Sequence, residues 1–174
     1  IIESPEAKAG DFDAARCDVY YQGTVSPDFY GWVFPHGART SVGTGTAIKG
    51  YSIRHATGRL RLAAGLGSCA TLRKEGAPIP LKPLPVWDNG RNVLVVGDAA
   101  GVVAPASGEG IYYAMACGRI GAQCADSFLG QAGAPALAKA RKQFMKAHGR
   151  VFWILGIMQR FWYANDRRRE RFVS

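Results

Sequence analysis

The stretch VLVVGDAAGVVAPASGEGI, residues 93–111, sets two carboxylates, a proline and four glycines at spacings suited to a ligand-binding turn. Val93–Val96 are apolar and mostly β-branched, and are expected to form a short buried strand. Asp98 then falls at the carboxyl end of that strand, where open α/β sheets hold their ligands. A carboxylate there can accept hydrogen bonds from a polyol or a ribose. Gly97 and Pro105 shape the turn, and Gly108 and Gly110 have no side chains to block a flat or anionic group. Next to Ile111 the N–H groups of a helix N-terminus point outward with a favourable dipole. Glu109 at that start can cap the helix, or meet a ligand through its backbone, or do both. An ordinary strand–loop–helix turn capped by Ser107 is the plainer alternative.

A second set is aromatic. Tyr30, Trp32 and Phe34 alternate along one extended segment, so their side chains are expected on one face. Such a face is either a packed sheet surface or the wall of a long apolar cavity. Tyr30 and His36 are the candidate proton donors nearby, a water being the third possibility.

Elements to position these residues can be read along the chain. Residues 17–24 read as a strand, Ser26-Pro27-Asp28 as a turn, and residues 29–35 as an aromatic strand ended by Pro35. Residues 36–39 can close a hairpin onto a third strand over 40–47. Residues 52–66 have helical spacing, with Ile53, Ala56, Leu60, Ala63 and Ala64 on one side. Residues 70–77 are expected to return to the sheet, and four prolines between 78 and 85 mark an extended crossover. A helix from about 109 to 129, rich in Ala and Gly, can pack closely on a sheet; residues 130–135 break it before a final helical stretch.

Composition bounds the class. Hydrophobic residues make up 48% and charged residues 20%, which argues for a packed core over disorder. No run approaches the ~20 apolar residues of a membrane-spanning helix, and the first residues lack the pattern of a signal peptide. The four cysteines have no CxxC spacing; Cys117 and Cys124, about 10 Å apart along a helix, are too distant for a disulfide. Buried, reduced thiols are expected and no metal site. Charge is uneven: residues 130–174 hold ten Lys and Arg against two acidic residues. Most of the basic residues flank VFWILGIMQRFWY, residues 151–163. A short aromatic helix with basic flanks suits an anionic membrane surface through residues 139–171, or is a core helix with a solvated basic end. Nucleic acid is not expected, because the aromatics cluster with aliphatics instead of alternating with the basic residues.

The motif Gly97-Asp98-Ala99-Ala100, Pro105 and Gly108-x-Gly110 resembles the second flavin-contacting motif of FAD-dependent hydroxylases and reductases. Asp28-Phe29-Tyr30-Gly31-Trp32-Val33-Phe34-Pro35, followed by Ser41-Val42-Gly43-Thr44-Gly45, resembles the YxWxFP…VGxG signature of geranylgeranyl reductases, closest to the photosynthetic ones acting on chlorophyll or bacteriochlorophyll. Residues 76–90 and AHGRVFWILGIMQRFWY resemble the same branch, so the likeness runs from about residue 12 to the end.

That resemblance implies an α/β (α+β) fold: an antiparallel substrate-binding sheet over 1–86, an FAD-contacting strand–loop–helix over 87–130, and a basic, aromatic helical region over 131–174. It implies reduction of the geranylgeranyl C=C bonds to phytyl by reduced FAD, with NADPH as electron source. It assigns Gly97, Asp98, Pro105, Gly108, Glu109, Gly110 and Ile111 to the flavin, and Tyr30, Trp32 and Phe34 to an isoprenoid or pigment substrate. It also implies a cytoplasmic protein attached peripherally to a photosynthetic membrane. No GxGxxG occurs; Gly43-Thr44-Gly45 and Gly65-Leu66-Gly67 lack the third glycine. The chain is therefore expected to be the C-terminal portion of a flavoprotein whose N-terminal dinucleotide-binding unit lies elsewhere. A related FAD-dependent monooxygenase, an isoprenoid-lipid reductase and a non-catalytic fragment that binds a membrane or partner are the alternatives.

Overall fold

In the computed structural model, four short strands, β1 (Ile2–Glu3), β2 (Asp18–Tyr20), β3 (Gly31–His36) and β4 (Arg39–Thr44), make an antiparallel sheet in the order β1-β4-β3-β2. Residues 1–6 and 10–173 are described. The chain divides into two compact units, Ile1–Gly76 with Phe161–Ser174, and Ala77–Arg160. The division expected at 86 and 130 is one of function, whereas these units divide the chain at 76 and 160.

Hairpin chemistry sets the register of the first unit. Gly37, at φ +65°, opens the two-residue link between the paired His36 and Arg39, a left-handed position that glycine takes without strain. From there every residue of β3 faces one of β4, ending with Gly31 opposite Thr44. Val33 points inward and is 1% exposed, packed in a cluster with Ile2, Phe12, Val25, Leu60 and Leu66. Gly31 allows that packing: a Cβ there would come within 2.4 Å of Val25 Cγ1 and 2.9 Å of Leu60 Cδ2.

Helix α1 (Ile53–Ala63) starts at Ser52, whose Oγ accepts from His55 N. It buries Ala56 and Leu60, with Ala64 buried just beyond its end, but Ile53 and Ala63 of the expected apolar side are exposed. A helix of three turns lying on one side of a small sheet covers a narrower stripe than five residues. Strand β1 was not expected; it pairs with β4 at Thr40 and Arg39. Residues 70–77 return to the sheet only as a single bridge, Thr71 opposite Ile2.

The second unit is helical, with one correction. Val93–Val96 form no strand: Leu94 makes an isolated bridge to Asp88, Val93 is 51% exposed, and Leu94–Val96 are half-buried. Among the described residues the ladder partner of this run is the short segment at Trp87–Asn89, joined to it by Val95 N to Trp87 O and Asn89 N to Val93 O. Two such bonds do not make a strand. The run leads into one turn of 3₁₀ helix, Gly97–Ala100, and then to α2 (Ile111–Ser127).

Of the small residues of α2 expected to pack on a sheet, Gly121 makes the close approach, against the 94–97 run and not a sheet, while Gly118 faces open space and Ala122 is exposed. A Cβ at Gly121 would come 2.8 Å from Val96 Cγ1, so the helix rests directly on the 94–97 run. A five-residue wide turn, Phe128–Ala132, and Gly133 at φ +64° separate α2 from the long α3 (Ala134–Trp162); α4 (Asp166–Val173) follows. Trp87, Val102, Cys117, Cys124, Phe144 and Phe152 are at the centre of this unit's core. No helix among the described residues is long and apolar enough to cross a membrane.

Leu60 is fully buried in the cluster with Val25, Val33 and Leu66, so Leu60→Ala should cost about 2–5 kcal/mol through lost transfer energy and the cavity left behind. Chemical denaturation of the two proteins reads this directly, and a loss below 1 kcal/mol would mean the site collapses around the deletion.

Candidate functional site

The loop between residues 97 and 110 folds back on itself through its backbone. Ala104 N donates to Glu109 O at 2.8 Å, Gly108 N to Ala104 O at 3.0 Å, and Ser107 N to Pro105 O at 2.8 Å. Gly97, Gly101 and Gly108 take φ values of +62°, +77° and +66°. At Gly101 the need is doubled, because a Cβ would lie 2.1 Å from the carbonyl oxygen of Lys82.

Asp98 is exposed, and its carboxylate is folded over the start of α2: a Cβ at Gly110 would sit 3.2 Å from Asp98 Oδ1. Glu109 caps that helix, its Oε1 accepting from Tyr112 N at 2.7 Å, so the capping role considered from the sequence is realised. Gly110, immediately before α2, supplies no capping side chain. Ile111 is 78% exposed. An exposed carboxylate, two glycines and a helix N-terminus thus share one loop. This combination can hold a molecule bearing both hydroxyls and an anionic or electron-rich group.

Cys117, nearly two helical turns farther on, lies beneath the loop. Burial raises its thiol pKa, an effect opposed by a hydrogen bond from the Gly97 backbone. The thiol is 0% exposed and Cys124 is 3% exposed. Beside them lies a ring cluster that sequence spacing did not single out. Tyr113 packs edge-on to Phe152 at 4.9 Å and to His148 at 5.5 Å, and Tyr112 edge-on to His148 at 5.8 Å. The i, i+4, i+8 spacing of Phe144, His148 and Phe152 was the signal available. Tyr113 has a raised pKa, first from burial and then from the nearby Glu109.

In the first unit the aromatic residues form a row. Ring centroids are 6.2 Å apart for Tyr30–Trp32 and 6.4 Å for Trp32–Phe34. Trp32 lies across its cross-strand partner Gly43, where a Cβ would come 2.4 Å from Cζ2, and donates its Nε1–H to Ser41 Oγ at 3.1 Å. All three rings are half-buried, and Val19, opposite Trp32 on β2, is 43% exposed.

Tyr30 is extended into a second cluster by residues the sequence did not flag. It stacks on Phe29 at 4.2 Å and meets Tyr21 at 5.7 Å, and Tyr21 meets Tyr163 at 6.1 Å. Burial, then the neighbouring Tyr21, raises the Tyr30 pKa. Its phenol stays protonated through neutral and mildly alkaline pH, as a proton donor must. Stability linked to that phenol is intact below about pH 10 and is lost as pH rises through the raised pKa. His36 is not brought near it. It is exposed at the hairpin turn, six residues and about 20 Å along the strand from Tyr30.

Comparison with known proteins follows the same residues. No family model matches the chain. It is 58% identical over its whole length to the geranylgeranyl diphosphate reductase of Rhodobacter capsulatus, covering 44% of that protein. It is 40% identical to the enzyme of that name from Synechocystis, over 99% of this chain and 44% of the relative. To the chloroplastic enzyme of that name from rice it is 37% identical, over 99% of this chain and 38% of the relative. The chain thus spans less than half the length of these relatives.

Thiol labelling checks the geometry beneath the loop. With all four cysteines free, a neutral-pH thiol reagent should modify the exposed Cys17 in the native protein and reach Cys117 and Cys124 only after unfolding. Rapid native labelling of Cys117 would mean that α2 does not seal the loop.

Proposed function

We propose, for a chain homologous along its whole length to geranylgeranyl diphosphate reductases, that it is the C-terminal part of a flavin-dependent reductase of isoprenoid C=C bonds. The substrate is the geranylgeranyl group, carried by a diphosphate or a (bacterio)chlorophyll head, and the product is phytyl. The observation that carries this reading is the 97–110 loop, where the Asp98 carboxylate overlies the glycine start of α2. A glycine at the helix start beside an exposed carboxylate fits FAD: Asp98 would hold the ribityl and diphosphate region, and Gly108, Glu109, Gly110 and Ile111 would meet the ring through backbone and apolar surface. Reduced FAD, recharged by NADPH, supplies the hydride in this reading.

The chain's own residues do the rest. Tyr30, Trp32 and Phe34 offer a row of rings with no charge, suited to a substrate that has no polar group outside its head. Tyr30 holds a proton at its phenol oxygen beside that row, which makes it the stronger donor candidate than His36. In this reading the antiparallel sheet of the first unit serves as the substrate layer of a fold of the FAD-dependent hydroxylase type. On α3, Lys146, Arg150, Trp153, Ile157 and Arg160 are exposed or half-exposed along one side. That mixture suits peripheral attachment to an anionic, photosynthetic membrane where the substrate resides.

Two substitutions in the flavoprotein containing this chain separate the roles. Asp98→Ala should release FAD during gel filtration while secondary structure is unchanged; full flavin content would remove Asp98 from the site. Trp32→Ala should keep FAD and lower turnover on geranylgeranyl substrate by about tenfold or more, as expected when a large apolar contact is removed. Wild-type kinetics would make the aromatic row packing alone.

A further inference from the structure

Along α3, Phe144 and Phe152 are buried core residues, 0% and 5% exposed, and the position between them on the same stripe is His148. The spacing of four residues on either side puts all three rings on one helix face. An aliphatic or phenyl side chain would continue the core there. The half-buried imidazole instead contacts the first turn of α2 on two sides, edge-on to Tyr112 at 5.8 Å and 89°, and to Tyr113 at 5.5 Å and 85°. It also lies 4.9 Å from Phe144, which is fully buried. Tyr113 is thereby held between His148 and Phe152, the latter 4.9 Å away.

These two tyrosines directly follow Glu109, Gly110 and Ile111. Glu109 reaches forward to accept the Tyr112 N–H at 2.7 Å, so a shift of Tyr112 moves the cap and the glycine backbone with it. We infer that His148 is a positioning residue for the cofactor-facing turn: its ring, seated against Tyr112 and Tyr113, fixes where residues 109–111 present their backbone. The inference rests on the flavin reading above and adds to it a residue on a different helix.

The test is FAD affinity, measured by fluorescence on apoprotein of the flavoprotein containing this chain, with the visible flavin spectrum and apoprotein Tm as companions. His148→Ala should weaken FAD about three- to tenfold, the worth of one or two aromatic pairs, and shift the flavin bands. His148→Phe, which restores a ring, should recover most of the affinity. Tyr112 is 58% exposed, so Tyr112→Ala should fold whatever His148→Ala does; it should weaken FAD similarly. The double variant should lose less than the sum of the two, since both remove one contact. A purely structural role would lower Tm while leaving the affinity and spectrum of the folded protein unchanged, and that result overturns the inference. Additive losses, or His148→Phe as weak as His148→Ala, overturn it as well. Wild-type apoprotein that takes up no FAD would instead overturn the proposed function itself.

Discussion

Between residues 97 and 110 a backbone has to pass very close to a carboxylate and to a neighbouring carbonyl, and the second unit is organised around that approach. Three glycines and Ala106 take left-handed φ values within this loop, Ala106 at +67° being the one non-glycine to do so among the described residues. For an alanine that conformation costs about 1–2 kcal/mol. The residue is only 8% exposed, and the surrounding turn is closed by the bonds of Ala104 to Glu109 and Gly108. Strain of this kind persists where packing over-determines the backbone, and such places cluster at ligand sites.

Support comes from two layers below the loop. Val96 and Leu94 lie against Gly121, the thiol of Cys117 takes the Gly97 N–H, and the ring stripe of α3 holds the first turn of α2. Each contact uses a residue whose size is its point: a glycine to admit a valine, a small thiol to reach an amide, a ring to fill a gap between helices. The sheet unit follows the same logic, with Gly31 admitting Val25 and Leu60 on one face and Gly43 admitting Trp32 on the other. Polar groups there are turned inward to the chain itself, as Thr44 Oγ1 donates to Tyr30 O and Ser26 Oγ to Gly45 O.

What could be read beforehand was local. The hairpin at 36–39, the aromatic alternation at 30–34 and a helix start after Gly110 depend on residues within a few positions of one another, and the structure has all three. Residues 93–96 misled because an apolar run states only a wish to be buried; whether it becomes a strand is decided by its neighbours, and here the neighbour is a two-bond segment at Trp87–Asn89. Strand β1 and the ring cluster of Tyr21, Tyr30 and Tyr163 join residues far apart in the chain, and no pattern in either segment announces the other. His148 was hidden for a different reason: a histidine on a helix face reads as solvated until the rings across from it are known.

The indole of Trp32 has its one donor committed to Ser41 and its flat side laid over Gly43. What it adds to the row toward Phe34 is therefore a smooth hydrocarbon surface with no notch that would fix an offset. A long unbranched or evenly branched apolar chain lying on such a surface gains nearly the same contact energy at each of several positions along it. It can advance lengthwise without first breaking a hydrogen bond. A surface of that sort grips by area and indexes by nothing, so any preferred register of a bound chain has to be imposed at its polar end.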